Sequence, residues 1–198
     1  PDSYCDTLMM YDILAMQQMY GVNAATRAGN TVYGFNTTEA GGAYDFTVND
    51  DPLMCIWDGA GIDTLDLSGF ADRQHIRLSG GAFSDVAGFI GNLSIAVGAL
   101  IENAVGGSGK DVIDGNDLAN RILGGIGSDT LNGGFGNDLL LGGAQADRLS
   151  GGKGADVIKG GGGNDLMDGG IGDDRLFGQD GSDGFVFGGP FGHDLIAD

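Results

Sequence analysis

The residues in this chain best suited to chemistry are aspartates that recur with a fixed period. From Gly106 to Val186 the sequence reads in nines: GGSGKDVID, GNDLANRIL, GGIGSDTLN, GGFGNDLLL, GGAQADRLS, GGKGADVIK, GGGGNDLMD, GGIGDDRLF, GQDGSDGFV. The sixth place of these units holds Asp111, Asn120, Asp129, Asp138, Asp147, Asp156, Asp165, Asp174 and Asp183. Each carboxylate is a hard anionic oxygen donor. Glycines at the first, second and fourth places permit positive φ, so the chain can turn tightly and aim its carbonyls into the same space. Calcium takes about six to eight oxygens and mixes carboxylates with backbone carbonyls. The pattern therefore reads as repeated calcium binding.

The elements that position these turns follow from the rest of each unit. The last three residues predict a short strand whose central side chain faces in while its neighbours face out. That central, eighth place is Ile113, Ile122, Leu131, Leu140, Leu149, Ile158, Met167, Leu176 and Phe185, apolar every time. Stacked units would bury one ladder of these side chains, flanked by aspartate-lined turns. Nine residues must be ordered for each apolar side chain buried, and stacked carboxylates repel across neighbouring turns. Without cations the segment is expected to be largely disordered; with them, binding energy becomes folding energy.

Composition agrees. Of 41 glycines in 198 residues, 13 lie in residues 1–105 and 28 in 106–198, which marks the main boundary. The formal net charge of −19 divides as −10 and −9 between those parts, which argues against nucleic acid or an anionic membrane as partner and favours cations. Cys5 and Cys55 allow one disulfide, with no framework spacing to support it. Pro1-Asp2-Ser3 shows no signal-peptide pattern of a basic region followed by an apolar one, and the longest nearly apolar run, Val86 to Ile101, is too short to span a bilayer.

Ahead of the repeat, residues 6–20 predict a helix, with Asp6 or Thr7 as N-cap and Gly21 ending it. Leu8, Met9, Tyr11, Ile13, Met16, Met19 and Tyr20 make it apolar enough to require a partner surface. TRAGNTVYGFN and IWDGAGIDTLDLSGF read as strands with glycine turns, the second carrying Asp58, Asp63 and Asp66.

The tandem G-G-x-G-x-D-x-U-x units resemble the repeats-in-toxin (RTX) family. With MMYDILAMQQMYGVN, TRAGNTVYGFN, IWDGAGIDTLDLSGF and FSDVAGFIGNLSIAVGALIENAVGGSGKD, the chain resembles the serralysins, secreted bacterial zinc metalloendopeptidases. The resemblance implies an all-β fold: a parallel β-roll with two units per coil, preceded by a β-rich region and one short helix. It implies calcium between turns two units apart. One side uses Gly107, Gly109 and Asp111; Gly125, Gly127 and Asp129; Asp147; Gly161, Gly163 and Asp165; and Asp183. The other uses Gly134, Gly136 and Asp138; Gly152, Gly154 and Asp156; and Gly170, Gly172 and Asp174, beginning at the uncharged Asn120. Sites touching the second and fifth units, where Leu118 and Gln145 replace turn glycines, are expected to be weakest. Upstream, the resemblance implies one site from backbone oxygens of Arg27, Gly29 and Thr31 with Asp58, Ala60 and Asp63. A second would join Gly61, Asp63, Leu100 and Glu102.

The family's H-E-x-x-H-x-x-G-x-x-H zinc motif is absent: only His75 and His193 occur, so this chain holds no catalytic residue. Zinc and protein substrates are expected to belong to a protease domain outside the chain. Residues 1–20 would end that domain, 21–105 would lead into the roll with their own calcium sites, and 106–198 would form the roll and the start of a C-terminal cap. The expectation is a monomeric, extracellular C-terminal fragment that crosses a type I secretion apparatus unfolded and folds in external calcium. The alternative is a free-standing RTX structural or adhesion module.

Overall fold

A computed structural model describes residues 10–20, 27–38, 42–188 and 192–197. Among these residues one helix, α1 (Met10–Tyr20), precedes seventeen short strands. The expected N-caps Asp6 and Thr7, the stop at Gly21, and Leu8, Met9 and Cys5 lie outside the described residues.

The first strands are β1 (Val32–Gly34), β2 (Met54–Ile56), β3 (Thr64–Asp66), β4 (His75–Arg77), β5 (Phe83–Ser84), β6 (Leu93–Ile95) and β7 (Asn103–Val105). The repeat supplies β8 (Val112–Asn116), β9 (Arg121–Ile126), β10 (Thr130–Phe135), β11 (Leu139–Ala144) and β12 (Arg148–Lys153). It continues with β13 (Val157–Gly162), β14 (Leu166–Ile171), β15 (Arg175–Asp180) and β16 (Gly184–Val186), and β17 (Leu195–Ala197) follows it.

Odd and even units go to opposite sheets. One sheet has eight strands in the order β1-β3-β7-β9-β11-β13-β15-β17; the other has six, β16-β14-β12-β10-β8-β4. Every pair within them is parallel, and in the repeat the register is eighteen residues, as in Leu131↔Leu149 and Leu140↔Ile158. Two nine-residue units thus make one coil of a parallel β-solenoid. Both sheets run through residue 106, since β7 pairs with β9 and β4 with β8. A third sheet, β2-β6-β5, sits beside them and contains the antiparallel pair β5·β6.

The core is the expected ladder. Ile113, Ile122, Leu131, Leu140, Leu149, Ile158, Met167 and Leu176 are buried, and Phe185 packs against them partly exposed. The same column extends upstream through Ala104, Ile76 and Leu65 into a cluster with Tyr33, Phe46, Ile56 and Ile95. Seven of the repeat strands are six residues long. They are longer than the three residues expected, because the glycines at places one and two continue the ladder, as in Gly134↔Gly152. Place-four glycines make the turn: Gly154 has φ +141°, and a Cβ there would lie 1.6 Å from Gly136 O one coil earlier. Stacking this close excludes any side chain.

The helix is only partly covered. Ile13 packs against the core, but Met16 and Met19 are 48 % and 65 % exposed, so the apolar helix is not covered on that side among the described residues. In the run from Val86 to Ile101, Val86, Leu93, Ile95 and Ile101 are buried while Phe89, Ile90, Val97 and Leu100 are exposed. No described helix is long and apolar enough to cross a membrane.

Candidate metal sites

The sixth-place aspartates form two ladders, one along each edge of the solenoid. The strand that follows each aspartate pins its backbone, and the buried eighth-place residue two positions on fixes its depth. Asp111, Asp129, Asp147, Asp165 and Asp174, with Asp138 and Asp156, are all buried. From Asp129 and Asp138 onward, each Oδ1 accepts the backbone N–H of the sixth-place residue one coil earlier. Asp111 donates to Asp129 at 2.8 Å, Asp129 to Asp147 at 2.8 Å, Asp147 to Asp165 at 2.8 Å and Asp165 to Asp183 at 2.9 Å. On the other edge Asn120 donates to Asp138 at 2.7 Å, Asp138 to Asp156 at 2.8 Å and Asp156 to Asp174 at 2.8 Å.

The second carboxylate oxygen is the informative one. Oδ2 of Asp129, Asp138, Asp147, Asp156, Asp165, Asp174 and Asp183 is buried and has no hydrogen-bond partner. A buried anionic oxygen left without a partner is costly, so native proteins pair such groups or give them a cation. The spot each Oδ2 faces is lined by oxygen and walled by glycine. A Cβ on Gly142 would lie 2.4 Å from Asp147 Oδ2 and 2.5 Å from Gly160 O; on Gly151 the distances to Asp156 Oδ2 and Gly169 O are 2.3 and 2.5 Å. Carboxylate and carbonyl oxygens converging where no side chain fits are the donor set a calcium ion uses. No three His, Cys, Asp or Glu side chains cluster among the described residues. That is the consequence of this architecture, in which neighbouring aspartates of a ladder sit a coil apart.

Burial raises these carboxyl groups, working against the backbone N–H each accepts. Asp129, Asp138 and Asp156 are pushed up to about 6. Asp147 is pushed up to about 7 by burial, with the neighbouring Asp129 and Asp165 charges adding to it. Asp111, Asp165 and Asp174 are raised for the same first reason.

The ladders are not uniform. Asp111 has both oxygens engaged, Oδ1 by Gln74 N–H and Oδ2 by Gly107 N–H, each at 2.8 Å. Asn120 is fully satisfied: its Oδ1 accepts from Asn116 N–H, and its Nδ2 donates to Glu102 O and Asn116 Oδ1. Gln145 adopts φ +71° in place of glycine and accepts Gly127 N–H on its Oε1 at 2.7 Å. One participant escaped the sequence reading. Asp194 lies twenty residues after Asp174 and accepts its N–H at 3.1 Å, so GHDLIA forms a tenth unit after a two-residue insertion. The signal was present in its G-x-D-x-U-x spacing.

Upstream, most of the expected residues gather around Asp63. Its Oδ1 accepts Thr31 N–H at 2.7 Å, its own N–H donates to Glu102 Oε2 at 2.8 Å, and Gly61 packs against Gly29 O and this carboxylate. Asp58 accepts Ala60 N–H at 3.1 Å and the Tyr33 hydroxyl at 2.5 Å. Burial, with the Asp58 and Glu102 charges, pushes Asp63 up to about 6. Burial and Asp58 likewise raise the Tyr33 phenol. The Arg27 guanidinium turns away to Trp57 O and the Tyr44 ring, and Leu100 is 52 % exposed.

A family model described as the peptidase M10 serralysin C terminal matches residues 22–191. The chain belongs to the serralysin C-terminal family. It is 52 % identical over 118 residues to metalloprotease AprA of Pseudomonas entomophila, a match covering 59 % of this chain and 24 % of the relative. It is 51 % identical over 113 residues to serralysin G of Dickeya chrysanthemi, covering 57 % and 24 %, and 46 % identical over 121 residues to serralysin of Proteus mirabilis, covering 61 % and 25 %. The match spans about a quarter of the length of these serralysin relatives.

Proposed function

We propose that this chain is the calcium-binding C-terminal region of a secreted zinc metalloendopeptidase, acting as a module that folds when calcium arrives. The single observation that carries the reading is the set of buried, unpartnered Oδ2 atoms on Asp129, Asp138, Asp147, Asp156, Asp165, Asp174 and Asp183. Calcium, when bound, supplies positive charge and an acceptor for those oxygens. The aspartates hold register through Oδ1, the place-one, place-two and place-four glycines bring carbonyls close, and the eighth-place ladder excludes water. The group of Gly29, Thr31, Asp58, Gly61, Asp63 and Glu102 would hold further ions ahead of the roll.

On this reading the segment stays unfolded where calcium is scarce, passes a type I secretion apparatus, and orders outside the cell. Extracellular calcium modules bind at about 10⁻⁴–10⁻³ M, which suits such a switch. Residues 1–20 would close the protease domain, 21–105 would join it to the roll, and 106–198 would form the roll and its cap. Zinc and protein substrates would be handled by that protease domain alone, and the whole protein would be a monomer. The names of the serralysin and AprA relatives support this placement.

Equilibrium dialysis with radioactive calcium tests the reading, with light scattering and far-ultraviolet circular dichroism on the same samples. Binding of about seven ions in the roll, with further ions at the upstream group, is expected to coincide with gain of strand signal. A chain that binds one ion or none while fully ordered would refute it.

A further inference from the structure

The two sheets of the solenoid have outer faces of different chemistry. On the six-stranded sheet, the outward residues at places seven and nine are mostly polar, Asp114, Thr130, Asn132, Arg148, Ser150 and Asp168, with Val112, Leu166 and Val186 among them. A water-facing sheet is expected to carry such a polar outer face. On the eight-stranded sheet, strands β9, β11, β13, β15 and β17 read RIL, LLL, VIK, RLF and LIA at the same places. The parallel register stacks their outward side chains into two rows. One runs through Arg121, Leu139, Val157, Arg175 and Leu195, the other through Leu123, Leu141, Lys159, Phe177 and Ala197. Over these five strands every residue of the two rows is apolar or cationic, while upstream the rows continue through Asn103, Thr64 and Asp66.

Two features of this face need an explanation. Its apolar side chains are only half buried at Leu123, Leu139, Leu141, Val157 and Phe177, although each strand already buries its eighth-place residue in the core. A contiguous apolar stripe on a sheet's outer side marks an interaction surface. Its charge also opposes that of the molecule. In a chain of net charge −19, Arg121, Lys159 and Arg175 are exposed on this face and make no ion pair among the described residues. The one carboxylate on these five strands, Asp180, closes β15 at the end opposite Arg175.

We propose that the outer face of the eight-stranded sheet, centred on Leu141, Lys159, Phe177 and Arg175, is a docking surface for an acidic, apolar polypeptide segment. Apolar side chains of that segment would lie along the leucine and phenylalanine row, with its carboxylates meeting Arg121, Lys159 and Arg175. Charge complementarity chooses this occupant. A second copy docked by a twofold axis through the same face would set cation against cation.

The test uses the calcium-loaded 198-residue chain and three probes: a synthetic peptide alternating leucine with glutamate, the same peptide with lysine for glutamate, and vesicles of phosphatidylglycerol. The glutamate peptide should bind by fluorescence anisotropy and protect amides of residues 121–123, 139–141, 157–159 and 175–177 from hydrogen exchange. Arg175→Glu and, separately, Leu141→Glu should each weaken it at least tenfold while leaving the circular dichroism of the calcium-loaded chain unchanged. Asn132→Glu on the opposite sheet should change affinity less than twofold. Equal binding of the lysine peptide, protection elsewhere, binding of vesicles alone, or self-association through this face in sedimentation would each overturn the assignment.

Discussion

Replacing Asp147 by Asn should change the stability of this chain in opposite directions with and without calcium. The substitution keeps an Oδ1 that can accept Asp129 N–H and removes the charge on the buried, unpartnered Oδ2. Asp147 sits between Asp129 and Asp165 on its ladder, so two ion positions lose a carboxylate. With free calcium a hundredfold above the dissociation constant, each site contributes about 2.7 kcal/mol, so losing one to two sites costs about 3–5 kcal/mol. In EDTA the sign reverses. Burial holds Asp147 up near 7 from an ordinary 3.8, so at pH 7.5 ionising it opposes folding. At about 1.4 kcal/mol per pKa unit, and discounting heavily for water that screens the turn, relief of that charge is worth roughly 1–2 kcal/mol. Urea melts followed by circular dichroism measure the first effect, and trimethylamine N-oxide-induced folding in EDTA measures the second. Destabilisation of similar size in both conditions would show that Asp147 is a structural hydrogen-bonding residue and not a cation ligand.

Further outcomes follow from the same geometry. In EDTA, folded-state carboxyl groups near 6 to 7 at Asp129, Asp138, Asp147 and Asp156 keep protons that the unfolded chain sheds near 4. The metal-free fold should therefore be most stable below about pH 4 and lose stability as pH rises to about 7; strand signal that instead grows with pH would contradict this. Gly172→Ala would place a Cβ 1.7 Å from Gly154 O at φ +142°, and should cost more than about 2 kcal/mol in a calcium-loaded melt. Gly162→Ala, with nothing within 4 Å, should stay within about 0.5 kcal/mol, and parity of the two variants would refute the stacking argument. Leu149→Ala removes a buried rung and should lower calcium-loaded stability by about 2–5 kcal/mol, read as a drop in Tm.

Much of the solenoid was legible because its constraint is strictly periodic. A residue that must point inward once every nine positions leaves the apolar column from Ile113 to Phe185, and a turn that must supply an anionic oxygen leaves the aspartates beside it. What escaped notice breaks the period or is set by distant partners. Asp194 was hidden by two inserted residues after Val186. The continuation of strands through glycine pairs such as Gly134 and Gly152 depends on backbone stacking that glycine's low strand propensity conceals. The side sheet of β2, β5 and β6 rests on contacts such as Met54 with Leu93, far apart in sequence and without a repeated pattern. Around Asp63, residue types alone suggested scattered carboxylates; the serralysin resemblance brought Thr31, Gly61 and Glu102 into consideration, and folding supplied their contacts. For α1, hydrophobicity indicates that a face needs cover without indicating what covers it, and Met16 and Met19 stay exposed.

The most direct test of the whole account is a calcium titration of the purified chain at pH 7.5, from chelator to ten millimolar, followed by far-ultraviolet circular dichroism. Strand signal should be small in EDTA and rise cooperatively between about 10⁻⁴ and 10⁻³ M calcium. A spectrum already fully strand-like in chelator, with the same melting temperature before and after calcium, would mean that the buried Oδ2 atoms find their compensation elsewhere.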